Sequence, residues 1–172
     1  VRTIDADGTP LPPGVAGEIC VRGPQVMAGY LDRPDATAHA LRDGWLHTGD
    51  IGELDARGAL RVLDRRDDLI VSGGENVYPA EVEAALLAHP DVTEAGVVGL
   101  PDAEWGQRVV AIVVPRRAPG ADLERELLAH CARALARFKR PRELRFASNL
   151  PRTASGKLQR ALLRRELRER EQ

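Results

Sequence analysis

Apolar positions follow two different rhythms on either side of a block of five charged residues, Asp64-Arg-Arg-Asp-Asp68. Ahead of the block, short apolar runs alternate with Gly, Pro and Asp, which is the spacing of strands and turns. Glu18 to Arg22 predicts a strand ended by Gly23-Pro24, and Asp35 to Leu41 predicts a brief helix with Pro34 near its first turn. Asp43-Gly44 marks a turn and Trp45-Leu-His-Thr48 follows it. Ile51–Leu54 and Leu60–Leu63 then predict a hairpin joined by Asp55-Ala-Arg-Gly58. Residues 1–63 therefore read as β-rich.

Past the block, helical and strand periods alternate. Leu69-Ile70-Val71 is a short strand signal running into a Ser72-Gly73-Gly74 turn. Pro79 opens a helix whose Val82, Ala85 and Leu86 form an apolar stripe, stopped by His89-Pro90. Val92–Leu100 predicts a strand broken by Pro101-Asp102, and the β-branched run Val109–Val114 predicts another ended by Pro115. Leu123, Leu127, Leu128, Cys131 and Leu135 share one helix face, with Asp122 as its N-cap. Arg142–Phe146 predicts a last strand, and Leu158, Leu162 and Leu163 lead an Arg/Glu-rich terminal helix. The order after the block is α-β-β-α-β-α, a small sheet covered by helices, and no internal repeat is visible.

Composition narrows the classes open to such a chain. Its 172 residues suit one or two domains. Aromatics are only 3%, so the core must come from Leu, Val, Ile and Ala. No apolar run approaches the roughly 20 residues of a membrane helix, and no secretory pattern opens the chain. Cys20 and Cys131 stand alone, without the spacing of a zinc site or a disulfide framework, so a reducing, cytoplasmic setting without a metal centre is expected. Val1 enters without an initiator methionine, as expected of the interior of a longer protein. Residues 133–172 hold 13 basic and 4 acidic side chains, a balance that suits phosphate-bearing partners as well as a solvated helix face. No aromatic stacking platform accompanies those charges, so a nucleic-acid module is not expected.

Three short stretches carry candidate chemistry. Thr48-Gly49-Asp50 places a carboxylate at what reads as a loop exit, where it could cap a turn or accept hydrogen bonds from a vicinal diol such as a ribose. Pro151-Arg-Thr-Ala-Ser-Gly-Lys157 is a polar loop with one lysine. It fails as a P-loop, because Pro151 occupies the place of the required Gly and Leu158 that of the Ser or Thr. Its lysine is either a solvated charge or one delivered to a developing anion. Ser72-Gly73-Gly74 is either a plain turn or a place where backbone passes close to a ligand.

Taken in order, the chain resembles the C-terminal part of the adenylate-forming superfamily. The resemblance rests on Gly17-Glu-Ile-Cys-Val-Arg-Gly23 with Gly29-Tyr30, Gly44-Trp-Leu-His-Thr-Gly-Asp50, Asp64-Arg-Arg-Asp-Asp-Leu-Ile70, Gly74-Glu-Asn-Val-Tyr-Pro-Ala-Glu-Val-Glu83, and Pro151 to Lys157 with Arg160. The Gly-Glu-Asn-Val-Tyr-Pro form is similar to the acid–CoA ligase branch, including fatty-acid–CoA and 2-succinylbenzoate–CoA ligases. An adenylation domain that loads a carrier protein is the alternative.

The resemblance implies an α+β organisation. Residues 1–66 would be the β-rich end of a large N-terminal domain, and residues 67–172 a small, mobile C-terminal domain with a short mixed sheet covered by helices. It implies a parent enzyme that converts a small carboxylic acid and ATP to acyl-AMP, then passes the acyl group to CoA. Asp50 would bind the ribose hydroxyls and Arg65 would assist it. Asp67 would be the hinge, Lys157 the catalytic lysine of adenylation, and Gly73 and Gly74 the turn that approaches pantetheine. The phosphate loop, the acid pocket and the ligands of Mg²⁺ would lie in the missing N-terminal domain, leaving this fragment inactive alone.

Overall fold

The computed structural model describes residues 1–170, which divide into two compact units, Val1–Asp67 and a second from Asp68 onward. The first unit is a small antiparallel sheet. Its strands are β1 (Arg2–Ile4), β2 (Gly17–Val21), β3 (Leu41–Arg42), β4 (Trp45–Leu54) and β5 (Leu60–Arg65), with helix α1 (Pro34–Ala40) between β2 and β3. The order is β1-β2-β4-β3, and β5 also pairs with β4. Asp43 and Gly44 both adopt positive φ, 52° and 75°, which closes β3 onto β4 in a tight hairpin turn. Asp55 closes the β4–β5 turn, its Oδ1 accepting from Arg57 N and Ala59 N at 2.8 Å each. Ile4, Ile19, Cys20 and Ile51 are the buried apolar side chains of this sheet.

The second unit begins with a hairpin, β6 (Ile70–Ser72) against β7 (Glu75–Val77), followed by α2 (Pro79–Leu87). A three-stranded mixed sheet follows. β8 (Val92–Asp102) runs antiparallel to β9 (Gly106–Pro115), and β10 (Glu143–Phe146) runs parallel to β9. Helices α3 (Ala121–Ala134) and α4 (Arg160–Glu169) complete it. Alternate side chains of a strand point to opposite faces, and here both faces are covered. Val97, Val109, Ala111 and Val113 pack with Val82 and Leu86 of α2 and Leu123, Leu127 and Cys131 of α3. Val98, Val110 and Ile112 pack with Leu163 and Leu167 of α4. Burial on both faces is why residues 109–114 are continuously apolar instead of alternating. No helix among the described residues is long and apolar enough to cross a membrane.

The mixed α+β organisation expected from the sequence is the one observed, with several local differences. Thr48-Gly49-Asp50 is not a loop exit but the middle of β4, where the pairing with β2 slips between Glu18 and Cys20. Pro101 does not break β8, which continues to Asp102. β8 is an edge strand of the sheet, where the missing N–H of proline costs no ladder bond. Asp122 is not the N-cap of α3. Gly120 holds that position, and Asp122 lies in the first turn, paired with Arg125. β7, β1 and β3 were not anticipated.

Candidate functional site

In the first unit, the irregularity in β4 shapes the surroundings of Asp50. Gly49 adopts φ 72°, so the strand bulges and two side-chain oxygens fill the gap. Thr48 Oγ1 donates to Ile19 O at 2.9 Å and accepts from Asp50 N at 3.0 Å. Gly49 N donates to Glu18 Oε1 at 3.3 Å. Asp50 emerges with Oδ1 2.9 Å from Arg65 Nε, while its other oxygen has no hydrogen-bond partner among the described residues. Arg65 is its direct partner on β5. An unengaged carboxylate oxygen beside a guanidinium is suited to accept hydroxyl hydrogens without gathering excess negative charge.

Glu18, which the sequence did not single out, ties this place together. It is only 9% exposed, and its Oε2 lies 3.3 Å from both His47 Nδ1 and Arg66 Nη1. Cys20 Sγ is 3.6 Å from the same His47 nitrogen. That arrangement is not a nucleophile relay, because one ring nitrogen cannot serve both the thiol and the carboxylate. Burial, reinforced by the Glu18 charge, also pushes the Cys20 thiol up. A cavity of about 430 Å³ opens beside these groups, with Arg33, His39, Arg42, His47 and Arg65 in its lining. Asp67 closes the first unit with its side chain 93% exposed.

The second unit holds the remaining candidates. Gly73 and Gly74 form the β6–β7 turn with φ 62° and 83°. Gly73 is also needed for space, since a Cβ there would lie 2.5 Å from the Trp105 ring. Gly73 N donates to Trp105 O at 2.9 Å, and the Arg142 guanidinium sits 4.3 Å from the Trp105 ring centroid. The turn carrying Trp105 is closed by Asp102, whose Oδ1 accepts from Trp105 N and Glu104 N. The Trp105 backbone bond is the main reason the Asp102 carboxyl lies below the usual aspartate range.

The loop bearing Lys157 is closely bonded. Thr153 N donates to Lys157 O at 2.8 Å, Lys157 N donates to Thr153 Oγ1 at 3.1 Å, and Arg152 Nη1 donates to Gly156 O at 2.8 Å. Arg152 also pairs with Glu94 on β8. The Lys157 side chain is exposed, and its ammonium has no hydrogen bond or ion pair with any described residue. Thus Asp50 and Arg65 are brought together in one unit, while the Gly73-Gly74 turn and Lys157 belong to the other, with no hydrogen bond between them among the described residues. Elsewhere, His89, Asp91 and Glu126 bring potential metal ligands within 4.8 Å of one another. Arg117 already bonds both of those carboxylates, at 2.8 and 2.6 Å.

Residues 81–157 match the family model described as the AMP-binding enzyme C-terminal domain. Over 166 residues the chain is 54% identical to the 2-succinylbenzoate–CoA ligase of Bacillus cereus, covering 96% of this chain and 33% of that protein. The o-succinylbenzoate CoA synthetase of Bacillus subtilis, solved with the acyl-adenylate intermediate OSB-AMP, superposes with a TM-score of 0.87 at 47% identity. That match covers 97% of this chain and 33% of the solved one. The same synthetase with ATP and a magnesium ion gives 0.85 at 46% identity, over 98% and 34% of the two chains. The chain thus spans about a third of the length of the relatives it matches.

Proposed function

We propose, from the match of residues 81–157 to the AMP-binding enzyme C-terminal domain and the likeness of the chain to 2-succinylbenzoate–CoA ligases, that the chain is the C-terminal part of an adenylate-forming acid–CoA ligase and that this parent makes an acyl-CoA in two steps. In the first, a carboxylate oxygen attacks the α-phosphorus of ATP and pyrophosphate leaves. In the second, the CoA thiol attacks the acyl carbon, AMP leaves, and the thiol proton passes to solvent. Asp50 accepts hydrogen bonds from the ribose hydroxyls on its unengaged oxygen, and Arg65 holds the carboxylate in place. Lys157 carries its charge to the carboxylate and α-phosphate as negative charge develops there. The Gly73-Gly74 turn, with no Cβ atoms, lies beside the pantetheine arm during the second step. Asp67 is the pivot that exchanges the two arrangements, since one site serving two reactions needs its groups supplied in turn. Residues 1–66 are then the end of the larger domain and residues 67–172 the moving one.

The observation that carries this reading is the contrast within the Lys157 loop. Its backbone is held by several hydrogen bonds while its ammonium has no described partner. A rigid mount with an uncommitted charge suits a group that must reach a reacting phosphate. Mg²⁺ would supply charge neutralisation on the phosphates. Among the described residues, both carboxylates of the His89, Asp91 and Glu126 cluster are already paired with Arg117, and we assign the Mg²⁺ ligands to the larger domain.

In the full-length parent, Lys157→Ala is expected to slow acyl-AMP formation about 100- to 1000-fold and to leave thioester formation from supplied acyl-AMP nearly intact. Equal loss of both steps would overturn the role given to Lys157. The acid to test first is 2-succinylbenzoate, given the likeness to ligases of that acid. The isolated chain is expected to show no ATP–pyrophosphate exchange.

A further inference from the structure

We propose that Arg160 is a positioning residue that makes the Lys157 loop and the chain next to the pivot a single rigid body. This inference rests on the adenylation role proposed for Lys157. Arg160 opens α4, three residues beyond Lys157, and its guanidinium is turned inward with its side chain only 17% exposed. Its Nη2 and Nε donate to the two oxygens of Glu83 at 2.6 and 3.1 Å, a two-point fork that fixes the plane of both groups. Its Nη1 lies 3.4 Å from Oδ2 of Asp68. Glu83 is in turn fixed by the Val97 amide of β8, which donates to its Oε1 at 2.9 Å. One guanidinium therefore joins α4, α2, the central sheet and Asp68.

The position of Asp68 gives that junction its meaning. Asp68 is the first residue of the second unit and follows Asp67 directly. Arg164 reinforces it at 3.7 Å from Oδ1. On the other side of Asp67, Arg66 is held within the first unit by Glu18 at 3.3 Å. The residues flanking Asp67 are thus each anchored to their own unit, while the Asp67 side chain is 93% exposed and its approach to Arg66 is no closer than 3.9 Å. Rotation is confined to Asp67. On the Asp68 side, the anchor is the same arginine that begins the helix carrying the Lys157 loop. A turn at Asp67 is then transmitted to Lys157 without slack.

The mount requires the planar fork of arginine. A lysine at this position would keep the charge but lose the simultaneous grip on Glu83 and Asp68. The test uses the full-length parent with Arg160→Lys, Arg160→Gln and Asp68→Asn. Acyl-AMP formation is followed by pyrophosphate release, and thioester formation is followed from supplied acyl-AMP. Both Arg160 variants are expected to slow the first step about 10- to 100-fold, the range associated with misplacing a reacting group by about 1 Å. The second step should stay within about twofold, and Asp68→Asn should show the same selectivity to a smaller degree.

The double variant Lys157→Ala/Arg160→Gln should be no slower in adenylation than Lys157→Ala alone, because Arg160 acts through the lysine. Parallel loss of both steps in step with a lowered melting temperature, or additive losses in the double variant, would make Arg160 a purely structural residue and overturn the inference. Should Arg160→Gln fail to fold, Asp68→Asn, which leaves the Glu83 fork intact, decides the matter by the same split. A Lys157→Ala enzyme that still adenylates would instead overturn the role of the lysine itself.

Discussion

Asp50 and Arg65 are direct partners across the β4–β5 ladder, and Arg65 Nε reaches Asp50 Oδ1 at 2.9 Å. Arg65 is 63% exposed, and exposed pairs of this kind contribute only about 0–1 kcal/mol to stability. Its proposed value lies in orienting the carboxylate. Arg65→Met is therefore expected to leave the melting temperature nearly unchanged and to raise the KM for ATP about fivefold in the parent enzyme, corresponding to about 1 kcal/mol. Asp50→Ala removes acceptor bonds worth about 1.5–3 kcal/mol and should raise that KM about 10- to 100-fold. Initial-rate kinetics with saturating acid and CoA would check both. An unchanged KM in the Asp50 variant would remove the ribose from its account.

Much of the second unit was legible because its apolar spacing reports burial directly. Val82 and Leu86, and Leu123, Leu127 and Cys131, sit at helical intervals and all face the same core. β7 was not legible, because Glu75-Asn76-Val77 has no alternation of its own and is a strand only through its pairing with Ile70 to Ser72. Thr48-Gly49-Asp50 read as loop because its polarity and glycine are local signals. What makes it strand is Ile19 and Glu18, about thirty residues earlier. The same distinction separates Asp50, Arg65 and Lys157, which stand in recognisable short stretches, from Glu18 and Trp105, whose contacts arise only when distant segments meet. The polarity of the Lys157 loop likewise gives no sign that its backbone is bonded at Thr153, Gly156 and Lys157, because those bonds depend on the loop's folded geometry.

The two glycines of the β6–β7 turn are not equivalent. Both have positive φ, but only Gly73 faces the Trp105 ring, where a Cβ would arrive at 2.5 Å, while Gly74 has nothing within 4 Å. Gly74→Ala should cost about 1 kcal/mol from the left-handed backbone alone. Gly73→Ala adds overpacking against the indole, bringing the loss to about 2–4 kcal/mol. Denaturant unfolding of the two variants would separate them. If Gly74→Ala proved the more harmful, the close approach of Trp105 would not govern this turn.

Cys20 and Cys131 are both fully buried, and burial pushes both thiols up from their ordinary values. Reactivity with disulfide reagents requires exposed thiolate, so neither should label in the folded protein at neutral pH and both should label once it is unfolded. Two thiols titrating within seconds in the absence of denaturant would contradict the burial seen for both residues.

Acid should loosen the Gly73–Trp105 contact through Asp102. The Trp105 amide is the main influence holding the Asp102 carboxyl below its ordinary range. Burial is the next influence and works against it, and the Glu104 amide, Arg142 and Arg108 work with it. Because the folded value is the lower one, the carboxylate's contribution is fully present above the ordinary aspartate range and is lost as pH falls through the lowered value. Protection of the Gly73 amide, which donates to Trp105 O, should follow that curve in hydrogen exchange corrected for intrinsic pH dependence. Asp102→Asn should start from weaker protection at neutral pH and lack the acid step, since an amide does not titrate. Identical acid profiles for the two proteins would mean that some other carboxylate controls this turn.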